Sequence, residues 1–153
     1  MTGDPYAGFA ERYDLFGRFG EHDPQVVRFF REMFERHDVR SVLDCACGTG
    51  RDLHLFNALN LEVVGSDISE AMLARAKMNL DGVHVMVSLH RVDYRQLPQS
   101  FDREFDAVTC LRSSILHMPD EGEVIRAFGS MREVLRNGGI MVLTQGTTDK
   151  QWK

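Results

Sequence analysis

The chain has 153 residues, with 18 Lys plus Arg against 23 Asp plus Glu and a formal net charge of −5. That length suits a single domain, residues 1–153, with a core of its own, and the acidic balance argues against a surface that grips nucleic-acid phosphates non-specifically. No apolar run approaches membrane-spanning length, Met1-Thr2-Gly3-Asp4-Pro5 lacks the basic and apolar regions of a signal peptide, and Cys45, Cys47 and Cys110 show no framework spacing, which points to reduced thiols in a cytoplasmic protein.

In chain order, Tyr6, Phe9, Tyr13 and Phe16 recur at helical intervals, so a short amphipathic helix is expected. Packing on the domain is the simpler use for these aromatics; a lid over a ligand pocket, within residues 1–22, is the other. Asp23-Pro24 reads as an N-cap followed by Pro in the first turn. Val26, Val27, Phe30, Met33 and Phe34 then supply the apolar stripe of a helix ending near His37-Asp38. A strand over 41–45 has no polar face and should be covered on both sides.

Beyond a Gly-containing turn, Leu53, Leu55, Phe56 and Leu59 predict a helix starting near Arg51. A second strand covers 62–66 and ends at Asp67. Ser69 caps a helix to about Asn79 with Met72, Leu73 and Ala76 inward. A third strand falls late in 83–92 and ends at Asp93, and a fourth covers 105–111. Asp120 with Glu123 resembles a capping box for a helix to about Arg136, with Val124, Phe128, Met131 and Leu135 buried. Asn137-Gly138-Gly139 should stop it before a fifth strand at 140–144. Strands alternating with helices imply right-handed crossovers, hence an α/β fold with a parallel sheet.

In such sheets ligands bind outside the carboxyl ends of the strands. Asp44 with its Gly turn, Asp67, Asp93 and Leu111-Arg112-Ser113 occupy four of those ends. Gly permits close approach of a ligand to the backbone, and the helix beyond the turn offers free N–H groups. Asp67, placed after Gly50 at the end of the second strand, is positioned to accept from ribose hydroxyls, as the acid after a dinucleotide fingerprint does. The expected ligand therefore contains adenosine: a nicotinamide or flavin cofactor, or S-adenosylmethionine. An NAD-dependent oxidoreductase would want G-x-G-x-x-G, and the third glycine position holds Leu53.

The run Val42-Leu43-Asp44-Cys45-Ala46-Cys47-Gly48-Thr49-Gly50-Arg51 resembles motif I of class I S-adenosylmethionine-dependent methyltransferases. Val63-Val64-Gly65-Ser66-Asp67-Ile68-Ser69-Glu70-Ala71-Met72-Leu73 resembles motif II and the following helix. Asp93-Tyr94-Arg95-Gln96-Leu97-Pro98 resembles motif III, Phe105-Asp106-Ala107-Val108-Thr109-Cys110 the motif IV strand, and Leu135-Arg136-Asn137-Gly138-Gly139 the motif V turn. The likeness covers nearly the whole chain in order. Arg112-Ser113-Ser114-Ile115-Leu116-His117-Met118 is similar to the small-molecule branch, glycine and glycine/sarcosine N-methyltransferases in particular. The Asn/Asp-Pro-Pro-Tyr motif of enzymes acting on nucleic-acid amines is absent.

The resemblance implies a Rossmann-like three-layer αβα sandwich with a mostly parallel sheet, binding S-adenosylmethionine and leaving S-adenosylhomocysteine after methyl transfer to a small-molecule acceptor. It implies that the backbone of Ala46, Cys47 and Gly48, in the turn completed by Gly50 and Arg51, passes the methionyl part, and that Asp44 attracts its amino group. Asp67 would hold the ribose, Ile68 and Met72 flank the adenine, Asp93 accept from the adenine amino group with Tyr94 beside it, and Leu111 and Arg112 border sulfonium and substrate. His117 is the candidate general base; packing or positioning is its other use. No metal site is expected: Cys45 and Cys47 have no second Cys/His pair at ligand spacing. His84 and His90 read as surface or sheet residues, and Met72, Met78 and Met131 as core filler. The sequence ends at Gln151-Trp152-Lys153, short of the family's strands six and seven. The expectation is then a fifth strand at a sheet edge, open to pairing in a homodimer. The same shortening keeps open a non-catalytic S-adenosylmethionine-binding module or a truncated methyltransferase fragment.

Overall fold

The computed structural model describes residues 3, 4, 6–10 and 18–145. Tyr13 and Phe16 of the expected first helix, and the terminal Gln151-Trp152-Lys153, lie outside the described residues. Within them the order is α1 (Pro24–Arg36), β1 (Ser41–Asp44), α2 (Arg51–Ala58), β2 (Glu62–Asp67), α3 (Glu70–Gly82), β3 (Ser88–Arg91), α4 (Leu97–Ser100), β4 (Phe105–Cys110), a 3₁₀ helix (Ser114–His117), α5 (Glu121–Glu133) and β5 (Leu135–Leu143). The five strands form one sheet in the order β3-β2-β1-β4-β5, and each neighbouring pair is parallel. The chain reverses direction across the sheet between β1 and β4, which makes their carboxyl ends the switch point where an open α/β sheet takes its ligand.

Side chains alternate across the strands and fill two separate cores. On one face Val42, Val63 and Ala107 meet Phe30, Phe34, Leu53, Phe56 and Leu80, from α1, α2 and α3. On the other, Leu43, Val64 and Val108 meet Leu97, Ala127, Met131 and Val134, from α4 and α5 and the end of α5. The expected α/β sandwich is thus formed, three layers thick, and β1 is buried along its whole length. The caps read in the sequence are made as well: Asp23 accepts from Gln25 N–H, Ser69 from Met72 N–H and Asp120 from Glu123 N–H.

Four local expectations are corrected. Asn137-Gly138-Gly139 does not end a helix. α5 stops at Glu133, and these residues lie inside β5, where the pairing with β4 slips between Phe105↔Leu135 and Ala107↔Ile140. Gly138 takes φ +76°, and a Cβ on Gly139 would sit 2.9 Å from the Arg136 carbonyl, so the glycines build a bulge. The buried stripe of α5 is Ala127, Ser130 and Met131, continuing into Val134, whereas Phe128 faces solvent. Val26 of α1 is exposed too, because only Phe30 and Phe34 reach the sheet fully. Met78 is 64% exposed and is no core filler.

Helix α2 packs directly on β2 because Gly65 has no side chain. A Cβ there would lie 2.6 Å from Leu53 Cδ1, 3.0 Å from Leu89 Cδ2 and 3.2 Å from Cys47 Sγ. Gly65→Ala is expected to destabilise the fold by about 1–3 kcal/mol through overpacking, read as a lower denaturation midpoint at unchanged slope.

Candidate active site

Asp44 ends β1, and the chain leaves the sheet through a turn held by three backbone bonds. Cys45 N–H donates to Thr109 O at 2.9 Å, Cys47 N–H to Ser66 O at 3.0 Å, and Gly50 N–H to Cys47 O at 2.9 Å. The two glycines of this turn have different uses. Gly48 (φ +52°) has open space where a Cβ would stand, so ligand atoms can approach its backbone. Gly50 (φ +90°) instead faces α3, and a Cβ there would sit 3.3 Å from that of Ala76. The sequence placed Gly50 at the ligand; the structure gives it to helix packing.

Over this turn lies a cavity of about 540 Å³, lined by Tyr6, Phe9, Cys45, Ala46, Cys47, Gly48, Thr49, Arg51, Asp52, Asp67, Ile68, Met72, Asp93, Tyr94, Arg95, Arg112, Ser114, His117 and Met118. That volume falls within the roughly 300–1,000 Å³ usual for small-molecule sites. Of the residues singled out in the sequence, Ala46, Cys47, Gly48, Arg51, Asp67, Ile68, Met72, Asp93, Tyr94, Arg112 and His117 meet here. Asp44, Gly50 and Leu111 stand behind the lining, and Leu111 is 4% exposed within the core.

The acids differ in their surroundings. Asp67 Oδ2 accepts from Gly48 N–H and Oδ1 from Ser69 N–H, both at 2.9 Å, so this carboxylate ties the turn after β1 to the start of α3. Burial raises its proton affinity, against those two bonds. Asp44 is 1% exposed, and its Oδ1 has no hydrogen-bond partner among the described residues. Burial first, and then the nearby Asp52 carboxylate, push its carboxyl well above the usual range.

Asp93, expected to accept from the adenine amino group, lines the cavity and is held there by Arg95. It accepts from Arg95 backbone N–H at 2.9 Å, from Nε at 3.0 and 3.1 Å, and from Nη2 at 2.6 Å. Arg95 also pairs with Glu123 on α5. Burial works against ionisation of Asp93, but Arg95 prevails and holds the carboxyl below its usual range. The Tyr94 hydroxyl donates to Ser114 O at 3.0 Å, which fixes the 3₁₀ helix carrying His117.

Two of the buried thiols, Cys45 and Cys47, hold their protons more tightly than a free cysteine. Burial pushes Cys47 up, and a hydrogen bond with Cys110 followed by burial does the same to Cys45. Among the described residues all three cysteines are free and no cluster of ligating side chains could hold a metal ion. No helix among them is long and apolar enough to cross a membrane.

Sequence reasoning missed Asp52, Arg95, Ser114 and Met118, and it favoured simple packing for Tyr6 and Phe9, which line the cavity. Tyr6 meets the His117 ring edge-on, with centroids 5.9 Å apart. Its segment is pinned by Asp4, which accepts from Ser69 Oγ at 2.6 Å and from Ala71 N–H at 3.1 Å. Further along, His22 and His54 share a 2.8 Å ring-nitrogen hydrogen bond that fastens the approach to α1 onto α2.

Residues 42–139 match the family model described as a methyltransferase domain. The chain is 33% identical over 144 residues to a glycine/sarcosine N-methyltransferase of Parasynechococcus marenigrum (strain WH8102), covering 93% of the chain and 50% of that protein. It is 35% identical over 149 residues to a dTDP-3-amino-3,6-dideoxy-alpha-D-glucopyranose N,N-dimethyltransferase of Streptomyces fradiae, covering 90% of the chain and 53% of that protein. It thus spans about half the length of these relatives. The solved structure of SAM-bound CalS10, an amino pentose methyltransferase from Micromonospora echinaspora, superposes with a TM-score of 0.75 at 28% identity, over 94% of this chain and 58% of that one. With this fold, this switch-point cavity and these matches, the chain belongs to the class I S-adenosylmethionine-dependent methyltransferase family.

Proposed function

We propose that the cavity binds S-adenosylmethionine and that the protein transfers its methyl group to the amine of a small molecule. The observation that carries this reading is the pair Asp44 and Asp67 on either side of the Gly48 turn. One is a buried carboxylate with an oxygen lacking any partner among the described residues, suited to the ligand's ammonium group. The other keeps lone pairs beyond its two backbone bonds, suited to a ribose diol. Ile68 and Met72 supply apolar surface for the adenine, and Asp93, held by Arg95 at the cavity wall, is the acceptor offered to the adenine amino group.

When bound, S-adenosylmethionine supplies a methyl carbon on a sulfonium, from which an acceptor lone pair displaces neutral S-adenosylhomocysteine in line. The residues align the acceptor and exclude water. Tyr6 and Phe9, on a segment latched by Asp4, form the apolar cover of the pocket, which supports a lid reading for residues 1–22. His117 receives the acceptor's proton at a ring nitrogen when the acceptor arrives as an ammonium ion. An amine acceptor is supported by the relatives, which are named N-methyltransferases. Buried, reduced thiols suit a cytoplasmic protein.

Titration calorimetry with S-adenosylmethionine, S-adenosylhomocysteine and NAD tests the reading. Both sulfur nucleosides are expected to bind and NAD is not, since Leu53 stands where a dinucleotide turn needs its third glycine. Binding of NAD alone would overturn it. Where the nucleosides bind, methylation of small amines follows as the assay, and binding with no turnover on any amine would reduce the protein to a cofactor-binding module.

A further inference from the structure

We propose that Asp52 sets the charge balance of the cavity: by holding Arg112 it lets the pocket favour the cationic methyl donor over the neutral product. This rests on the S-adenosylmethionine reading. Asp52, in the first turn of α2, and Arg112, just past β4, both line the cavity. The contact is two-pronged, with Arg112 Nε 3.0 Å from Asp52 Oδ2 and Nη2 3.0 Å from Oδ1. The Asp52 side chain is 10% exposed and that of Arg112 50%, so the carboxylate sits inward of the guanidinium.

Arg112 is not there by default. It and Ser113 take φ +58° and +61°, a left-handed pair that non-glycine residues adopt only when their surroundings impose it. Thr144 imposes it here: its Oγ1 accepts from Arg112 N–H at 2.8 Å and its carbonyl from Ser113 N–H at 2.9 Å. A guanidinium is thereby held at the wall of a pocket whose proposed ligand carries a sulfonium. Donor and product share a carboxylate and an ammonium and differ by the methyl group on sulfur and the positive charge that comes with it. A cation on the wall penalises the donor and leaves the product nearly untouched. Of the other arginines on the lining, Arg51 donates to the neutral Arg18 carbonyl at 2.9 Å and keeps its charge, whereas Asp93 and Glu123 neutralise Arg95. Asp52 does the same for Arg112. A mere structural tie would affect donor and product alike. Asp52 also acts on Asp44, but Asp44 is assigned to the ammonium that both ligands carry, so the ratio of the two affinities isolates the sulfonium.

The experiment measures dissociation constants of S-adenosylmethionine and S-adenosylhomocysteine for wild type, Asp52→Asn, Asp52→Glu, Arg112→Gln and the Asp52→Asn/Arg112→Gln double variant. Asp52→Asn is expected to shift the ratio about tenfold against the donor, and Asp52→Glu to bring it back. Arg112→Gln should shift it the opposite way, and the double variant should return it near wild type. The Asp52→Asn shift should shrink as salt is raised. Equal weakening of both ligands by Asp52→Asn, or an Arg112→Gln ratio equal to wild type, would overturn the proposal. Arg112 is half exposed, so its variant keeps the test available if Asp52→Asn does not fold. Failure of the wild type to bind either nucleoside is a different result and would remove the underlying reading instead.

Discussion

Asp67→Ala is expected to weaken S-adenosylmethionine binding by about 1–3 kcal/mol, roughly five- to 150-fold in the dissociation constant. The residue has two jobs. Toward the protein, its oxygens each accept one backbone N–H, from Gly48 and from Ser69. Toward the cavity, it has the remaining acceptor capacity of both oxygens, which matches two adjacent hydroxyl donors. Alanine removes both, so affinity and turn geometry must be read separately. Asp67→Asn is the companion variant: its amide keeps one acceptor but turns a donor toward either Gly48 N–H or Ser69 N–H. Calorimetry gives the affinity and thermal denaturation the stability. A folded Asp67→Ala variant with wild-type affinity would remove Asp67 from the ribose. Equal losses for S-adenosylmethionine and S-adenosylhomocysteine are expected, because the ribose is common to both. That distinguishes this variant from changes that act on the sulfonium.

Asp67 was legible in the sequence because its evidence is local: a strand of β-formers, its end, and the spacing from a glycine turn. The same holds for β1, whose four residues are buried on both faces, and for the caps Asp23, Ser69 and Asp120, whose side chains act within three residues of themselves. What was not legible depends on contacts across the chain. Gly138-Gly139 carries the signature of a helix stop and of a bulge alike. The choice is made by β4, whose Asp106 accepts from Arg136 Nε at 2.6 Å and holds the bulged strand in place. Phe128 has helical spacing as good as Met131, but the sheet admits the narrower stripe of Ala127, Ser130 and Met131. Gly50 was read correctly as a turn residue, but its packing on Ala76, from the next helix but one, behind the cavity lining, was not visible in the sequence. Asp52 drew no reading in the sequence, since an acid in a helix's first turn is explained by the helix dipole without help. Its pairing with Arg112, sixty residues away, has no periodicity to announce it.

Asp44→Asn is expected to weaken binding of both nucleosides by about 1.5–3 kcal/mol while leaving the fold as stable or more so. A carboxylate with one oxygen unpartnered is poorly solvated where it stands, and replacing it with a neutral isostere relieves a desolvation penalty. Loss of affinity with gain of stability is the mark of a group kept for its ligand. Its proton sharpens the test. Burial and the neighbouring Asp52 hold the Asp44 carboxyl protonated to higher pH than an ordinary carboxylate. The proposed contact with the ligand's ammonium needs the ionised form. Wild-type affinity should therefore fall as pH is lowered through that raised pKa, and where free Asp44 still carries its proton, binding should release it, detected as buffer-dependent heat. The stability sign runs the other way. The folded protein retains the proton at a pH where the unfolded chain has lost it, so this group's contribution to stability declines as pH rises from the ordinary carboxylate value to the raised one. Asp44→Asn should reduce both dependences at once, leaving only what the less buried, backbone-bonded Asp67 contributes. Titrations upward from the ordinary carboxylate range decide it: a wild-type affinity that does not rise with pH, or an asparagine variant that keeps the wild-type slope, would take Asp44 away from the ammonium.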